Sequence, residues 1–262
     1  MPDALQGLPD THAHLSYVAE RNGEAFLDTL ASYYDTSSAF ILDPGIEYDD
    51  FPSRKAMLAK YPFVYLAAGI WPDTSSLSDI GPRVAILEQN VQDPECIAVG
   101  ECGLDYHWMN GTREQQLQLF RTQVEMAVRY NKPLIVHSRM AHKDTLEVVK
   151  SVSTRIAVII HCFGYNEAAA MEYLDAGCYI SFAGNITYKK SNDLRSACVV
   201  VPDSRLLLET DSPYMNPEPM RGKNSSPLDI CRTYQVVSEL RSTAVDKIST
   251  AVLNQAKNIF SL

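Results

Sequence analysis

The sequence predicts an α/β fold, a (β/α)8 TIM-type barrel built as a single domain over residues 1–262, and three observations carry that expectation. Eight short runs rich in apolar and β-branched residues recur along the chain, each followed by a longer amphipathic stretch, which is the count and order of such a barrel. Several runs, VYLAAGI, AVIIHCF and RLLLETD, are continuously apolar rather than alternating, as in a parallel sheet covered by helices. A length of 262 residues lies within the range these barrels reach as one domain. A doubly wound sheet of about six strands is the alternative pattern.

In chain order the expected strands are residues 8–15, 38–44, 63–70, 97–104, 134–138, 156–163, 179–184 and 205–211. Between them the helical period is visible: across 112–130, Leu117, Phe120, Val124 and Ala127 fall at three- and four-residue steps and define one buried face. After the last run comes SPYMNPEPMRGKNSSP, residues 212–227, whose four prolines and clustered polar residues exclude helix and strand. Ordered loops of that length are usually functional, and in a barrel this one lies on the face where active sites are built.

Composition narrows the function. With 46% hydrophobic and 21% charged residues the chain is neither disordered nor fibrous. A formal net charge of −9 repels polyanions at long range, which argues against broad gripping of duplex DNA but leaves action on strand ends open. Six cysteines without a C-x-x-C pair read as reduced core thiols. The first ten residues, MPDALQGLPD, lack a basic and an apolar region, and no apolar stretch approaches the roughly 18 residues of a membrane span. A soluble cytoplasmic protein is expected.

The polar residues that matter close the expected strands: His12 and His14 the first, Glu101 the fourth, His137 the fifth, His161 the sixth and Asp211 the eighth. On a strand, H-x-H points both imidazoles to one face, where they can hold one ion or form a polar pair closing the strand. Taken singly, His137 or His161 could be a satisfied core histidine, Glu101 could bond backbone amides, and Asp211 before Ser-Pro could cap a turn. Taken jointly, four imidazoles and two carboxylates at one end of an apolar sheet are costly to bury unless they pair or coordinate metal. Six such ligands exceed what one four-coordinate zinc uses, so two divalent ions bridged by a carboxylate are expected, with hydrolysis as the reaction. Zn, Mn and Mg all remain open.

Ordered along the whole chain, the segments DTHAHL, GECGLDYH, REQQLQLFRTQVEMA, PLIVHSR, HCFG, SF-x-G-N-x-T, ETDSPY and RGK resemble the TatD family of metal-dependent deoxyribonucleases, within the amidohydrolase-like barrels. The resemblance implies that His12, His14 and Asp211 hold a first metal, that His137 and His161 hold a second, and that Glu101 bridges both. It also suggests Asp211 and Glu101 as catalytic, Asp211 by orienting or deprotonating the attacking water. A glutamate at the bridge, where many amidohydrolases carry a carboxylated lysine, favours this family over urease-like and dihydroorotase-like relatives. The departures are local: Ala13 where relatives often carry Cys, Tyr188 where Phe is common, and Asn224 shifted by one in RGKNSSP, which leaves Arg221 and Lys223 in place.

Substrate contacts are expected from Arg139, Arg221 and Lys223, cations suited to a phosphodiester, with His107 donating to a leaving oxygen or stacking on a base. Lys189 and Lys190 suit the same role or a solvated face, Tyr106 and Trp108 suit stacking or packing, and His142 is expected to be uninvolved. Glu209, two residues before Asp211 on the same strand face, is expected to support the metal site. The reading is a deoxyribonuclease that trims DNA, single-stranded or at strand ends. The competing readings are an esterase or amidase on the same metals, such as an aminoacyl-tRNA deacylase, and a catalytically inactive binding protein.

Overall fold

A computed structural model of the chain describes residues 7–34 and 38–262, so most of the segment read above for a targeting signal lies outside the described residues. Seven strands form one parallel sheet in sequential order: β1 (Ile41–Asp43), β2 (Val64–Ala68), β3 (Cys96–Asp105), β4 (Leu134–Arg139), β5 (Val158–Ile160), β6 (Tyr179–Phe182) and β7 (Leu206–Leu208). Helices α1 (Leu15–Asn22) and α2 (Ala25–Tyr34) precede β1; α3 (Phe51–Leu58), α4 (Ile80–Gln92), α5 (Arg113–Arg129), α6 (His142–Lys150), α7 (Glu167–Asp175) and α8 (Asn192–Val200) each follow one strand. The last two, α9 (Ile230–Arg241) and α10 (Val245–Phe260), follow β7.

The eight expected strands are therefore seven regular ones, and the expected first strand is the exception. It contributes only isolated parallel bridges, Asp10 to Ile41 and Ala13 to Ser212. The two bridges fall on opposite sides, one to β1 and one four residues beyond the end of β7. Backbone bonds still run from this segment to both edges of the sheet. The Asp10 and Ala13 amides donate to Phe40 and Leu42 carbonyls at 2.9 Å, Thr11 donates to Leu208 at 3.1 Å, and the Asp211 amide donates to His12 at 2.9 Å.

Side chains lock this segment in place. Asp10 accepts from the Thr210 amide at 2.9 Å and its hydroxyl at 2.7 Å, and burial raises its carboxyl to about 7. Asp43 accepts from the Leu15 amide at 2.7 Å and, through its other oxygen, from the buried Arg54 guanidinium at 2.6 Å. Arg54 also donates to the Ala67 carbonyl at 2.7 Å, so one cation joins α3, β1 and β2 beneath the H-x-H segment.

Helix α5 shows how local sequence sets an element. Thr112 caps it by accepting from the Gln115 amide while the Gln115 side chain accepts from the Thr112 amide, satisfying two otherwise unpaired donors. Leu117, Phe120, Val124 and Ala127 are all buried, as their spacing predicts. The same face carries two buried glutamines that finish strand ends: Gln123 bonds both the amide and carbonyl of Ile70, and Gln116 bonds those of Asp105. No regular helix or strand forms between 213 and 226, in line with the proline content.

Candidate metal centre

His12, His14, Glu101, His137, His161 and Asp211, spread over 200 residues of sequence, converge where the strands end, and they form two triads. In the first, His12 Nε2 lies 3.3 Å from His14 Nε2 and 3.7 Å from Asp211 Oδ1, and His14 Nε2 lies 3.6 Å from Asp211 Oδ1. In the second, His137 Nδ1 lies 3.3 Å from His161 Nε2 and 3.2 Å from Glu101 Oε1, which is 3.4 Å from His161 Nε2. Glu101 spans both: its other oxygen, Oε2, is 3.1 Å from His12 and 3.4 Å from His14.

These separations test the fit of a metal. A tetrahedral ion with arms of about 2.0–2.1 Å has ligand-to-ligand edges of about 3.4 Å. Both triads have that edge length and consist of nitrogen and carboxylate donors, so the residues fit two divalent ions joined by one glutamate.

Backbone geometry explains the convergence. Gly103 pairs with His137 across β3 and β4 at φ 142°, and a Cβ there would collide with the His137 carbonyl oxygen. Only glycine lets β3 lie close enough for Glu101 and Asp105, two residues to either side on the same strand face, to bracket His137. Cys162 and Asp211 sit at φ 43° and 56°, left-handed conformations that cost roughly 1–3 kcal/mol for non-glycine residues and mark sites held by their surroundings.

Carboxylates fix the imidazoles from behind. Asp105, which the motif reading passed over, accepts from His137 Nε2 at 2.9 Å, leaving Nδ1 for the centre. Its spacing from Glu101 on one strand face was the available signal. Its other oxygen accepts the His107 and Trp108 amides at 3.0 and 2.9 Å, tying that loop to the metal side. Glu209 accepts from His161 Nδ1 at 3.3 Å and from the Cys162 amide at 2.7 Å. The His12 and His161 rings stack with centroids 3.9 Å apart, and His12, His161 and Glu209 form a further group able to hold an ion. Both His12 Nδ1 and Glu209 Oε2 are buried without a partner.

Charge within the cluster follows. Burial opposes protonation of His14, but hydrogen bonds to Asp211 and Glu101 outweigh it and raise this group to about 10. His161 is raised for the same kind of reason, through Glu101 and Glu209. His12 goes the other way, lowered by burial and by the neighbouring His161 charge. Burial would raise Glu101 and Asp211, yet the surrounding imidazoles hold both carboxyls below their ordinary values. The pocket is thus a set of anions neutralised by protons, the arrangement a dication can replace.

The remaining expected residues fall as follows. Arg139, Arg221, Lys223 and His107 are exposed, with Arg139 5.8 Å over the Trp108 ring and Arg221 4.4 Å over Tyr188. Lys189 and Lys190 are exposed as well. The Tyr106 hydroxyl is taken up by Asp144 at 2.6 Å, so this ring packs, while Trp108 is 63% exposed. His142 pairs with Glu172 at 3.0 Å and packs on Tyr165 and Tyr173. All six cysteines are free thiols, and among the described residues no helix is long and apolar enough to cross a membrane.

Comparison with known proteins adds a lineage to this geometry. The profile of the family described as TatD related DNase matches residues 9–261. An uncharacterized metal-dependent hydrolase of Bacillus subtilis, YabD, is 29% identical over 258 residues, 97% of this chain and 98% of its own length. Another from Escherichia coli, YcfH, is 30% identical over 261 residues, 97% of this chain and 96% of its own. The crystal structure of the Escherichia coli TatD homolog YJJV superposes with a TM-score of 0.84 at 27% identity, covering 97% of this chain and 98% of that one.

Proposed function

The chain belongs to the TatD-related DNase family, and on that premise we propose that it is a divalent-metal-dependent hydrolase that trims DNA, single-stranded or at strand ends. The observation that carries the reading is the pair of triads sharing Glu101, one carboxylate oxygen turned to each. His12, His14 and Asp211 would hold one ion, His137 and His161 the other, with Glu101 bridging and Glu209 and Asp105 steadying the imidazoles. We read the 10–14 segment as the eighth stave of a closed barrel, since it bonds to both edges of the sheet, and residues 1–262 as one cytoplasmic domain.

When bound, the two ions would acidify a water and place positive charge against a phosphoryl oxygen. The side chains supply the rest. Asp211 is the group we assign to take the proton of the attacking water; its side chain is 10% exposed, against 6% for Glu101 and 1% for Asp105. Arg139, Arg221 and Lys223, all exposed, are the cations we assign to the phosphate backbone within an envelope of net charge −9, and His107 is assigned to donate to the leaving oxygen.

End-labelled single-stranded, duplex and circular DNA, together with an aminoacyl ester, test this with Mn, Mg and Zn in turn. Release of terminal nucleotides from linear single strands is expected, and Arg221→Ala with Lys223→Ala should lower DNA cleavage at least tenfold more than ester cleavage. Ester hydrolysis without DNA cleavage would overturn the nuclease reading in favour of the esterase.

A further inference from the structure

Two exposed aromatic residues, each with an arginine laid over its ring, are tied through their backbone amides to residues of the site or to a carboxylate that bonds it. At the first triad, Tyr214 is 42% exposed, its ring is 6.1 Å from the His14 ring, and its amide donates to the Asp211 carbonyl at 2.8 Å. The Arg21 guanidinium lies 5.1 Å over Tyr214 and is held there by donating to Asn224 Oδ1 at 3.1 Å. At the second triad, Trp108 is 63% exposed, and its amide is held by Asp105, the carboxylate that also bonds His137. Arg139 lies 5.8 Å over Trp108. The two pairs come from four separate segments, α1, the loop after β3, the end of β4 and the loop after β7, so nothing in the local sequence requires the repeated arrangement.

We propose that Tyr214 with Arg21, and Trp108 with Arg139, form two stacking platforms, one for the unpaired base on each side of the scissile phosphate. This rests on the nucleic-acid reading above and deepens it. An exposed ring can take an unpaired base on its open face, and every base offers a π-face irrespective of sequence. The guanidinium beside each ring adds a second flat cationic surface and a donor to the adjoining phosphate. Bases taken up this way must be unpaired, because in a duplex their faces are already stacked, which accords with an acidic protein that does not grip a helix. Amide anchors on the Asp211 carbonyl and the Asp105 carboxylate tie the backbone of both platforms to the site, so that bases stacked on them would hold the phosphate between them.

Oligo(dT) titrated into the protein should quench tryptophan emission, and Trp108→Phe should remove a large part of that quench. In steady-state cleavage of oligo(dT), Trp108→Ala and Tyr214→Ala should each raise KM roughly 5- to 100-fold with kcat within about twofold, and the double variant should multiply the two effects. Trp108→Phe and Tyr214→Phe should restore KM, a rescue that a merely structural lesion would not show. Cleavage with KM unchanged in both alanine variants would overturn the platforms, as would equal losses in the alanine and phenylalanine variants. Quenching without cleavage would sink the nuclease reading and leave the platforms standing, whereas neither binding nor cleavage would remove both.

Discussion

At His14, burial and charge pull in opposite directions, and the outcome is a proton that a metal must displace. With this imidazole raised to about 10, uptake of Mn²⁺ or Zn²⁺ at pH 7 should release at least one proton per chain, read as a buffer-dependent heat in calorimetry. Apparent metal affinity should therefore rise with pH, and a pH-independent affinity would contradict the ligand role. The same shift bears on stability. In ion-free protein, the contribution of His14 is fully present below its ordinary 6.5 and is lost as pH climbs through about 10, so chelator-treated protein should lose melting temperature over that window. Metal-loaded protein, with the imidazole already deprotonated, should not. Asp105 acts through His137 rather than on substrate: Asp105→Asn should weaken metal binding about 10- to 100-fold in competition with a chelator.

Among the elements, a helix with a clear apolar period was legible, and caps and contacts that depend on register were not. Helix α5 was readable because its apolar residues keep one face; its cap came from the structure, and Thr112→Ala should cost about 1 kcal/mol in urea unfolding. The first strand was readable as an apolar run but not as a pair of isolated bridges, since that outcome depends on pairing with segments about 30 and 200 residues away. His12, His14, Glu101, His137, His161 and Asp211 were legible together because each closes an apolar run. Asp105 was not, because its role follows from Gly103 facing His137 across two strands. Arg21 meets Asn224 across 203 residues, a pairing no local pattern announces. Beneath the site, Arg54→Met should destabilise the protein by roughly 3–5 kcal/mol in the same unfolding assay, because it strands the buried Asp43 carboxylate that anchors α1.

The whole molecule carries a net charge of −9, and the proposed contacts to a strand are a few exposed cations. Binding of single strands should then depend only modestly on salt: with Arg21, Arg139, Arg221 and Lys223 as the contacts, the slope of log affinity against log salt should be about −3. A slope near −7 would require a basic surface that a chain of net charge −9 does not offer. The central claim is that two ions joined by Glu101 cut a phosphodiester. Its most direct test is to titrate ion-free protein with Mn²⁺ while following release of nucleotides from end-labelled single-stranded DNA. Activity should appear as the second equivalent binds and should be absent from Glu101→Ala at every loading; full activity at one equivalent, or cleavage undiminished in Glu101→Ala, would contradict it.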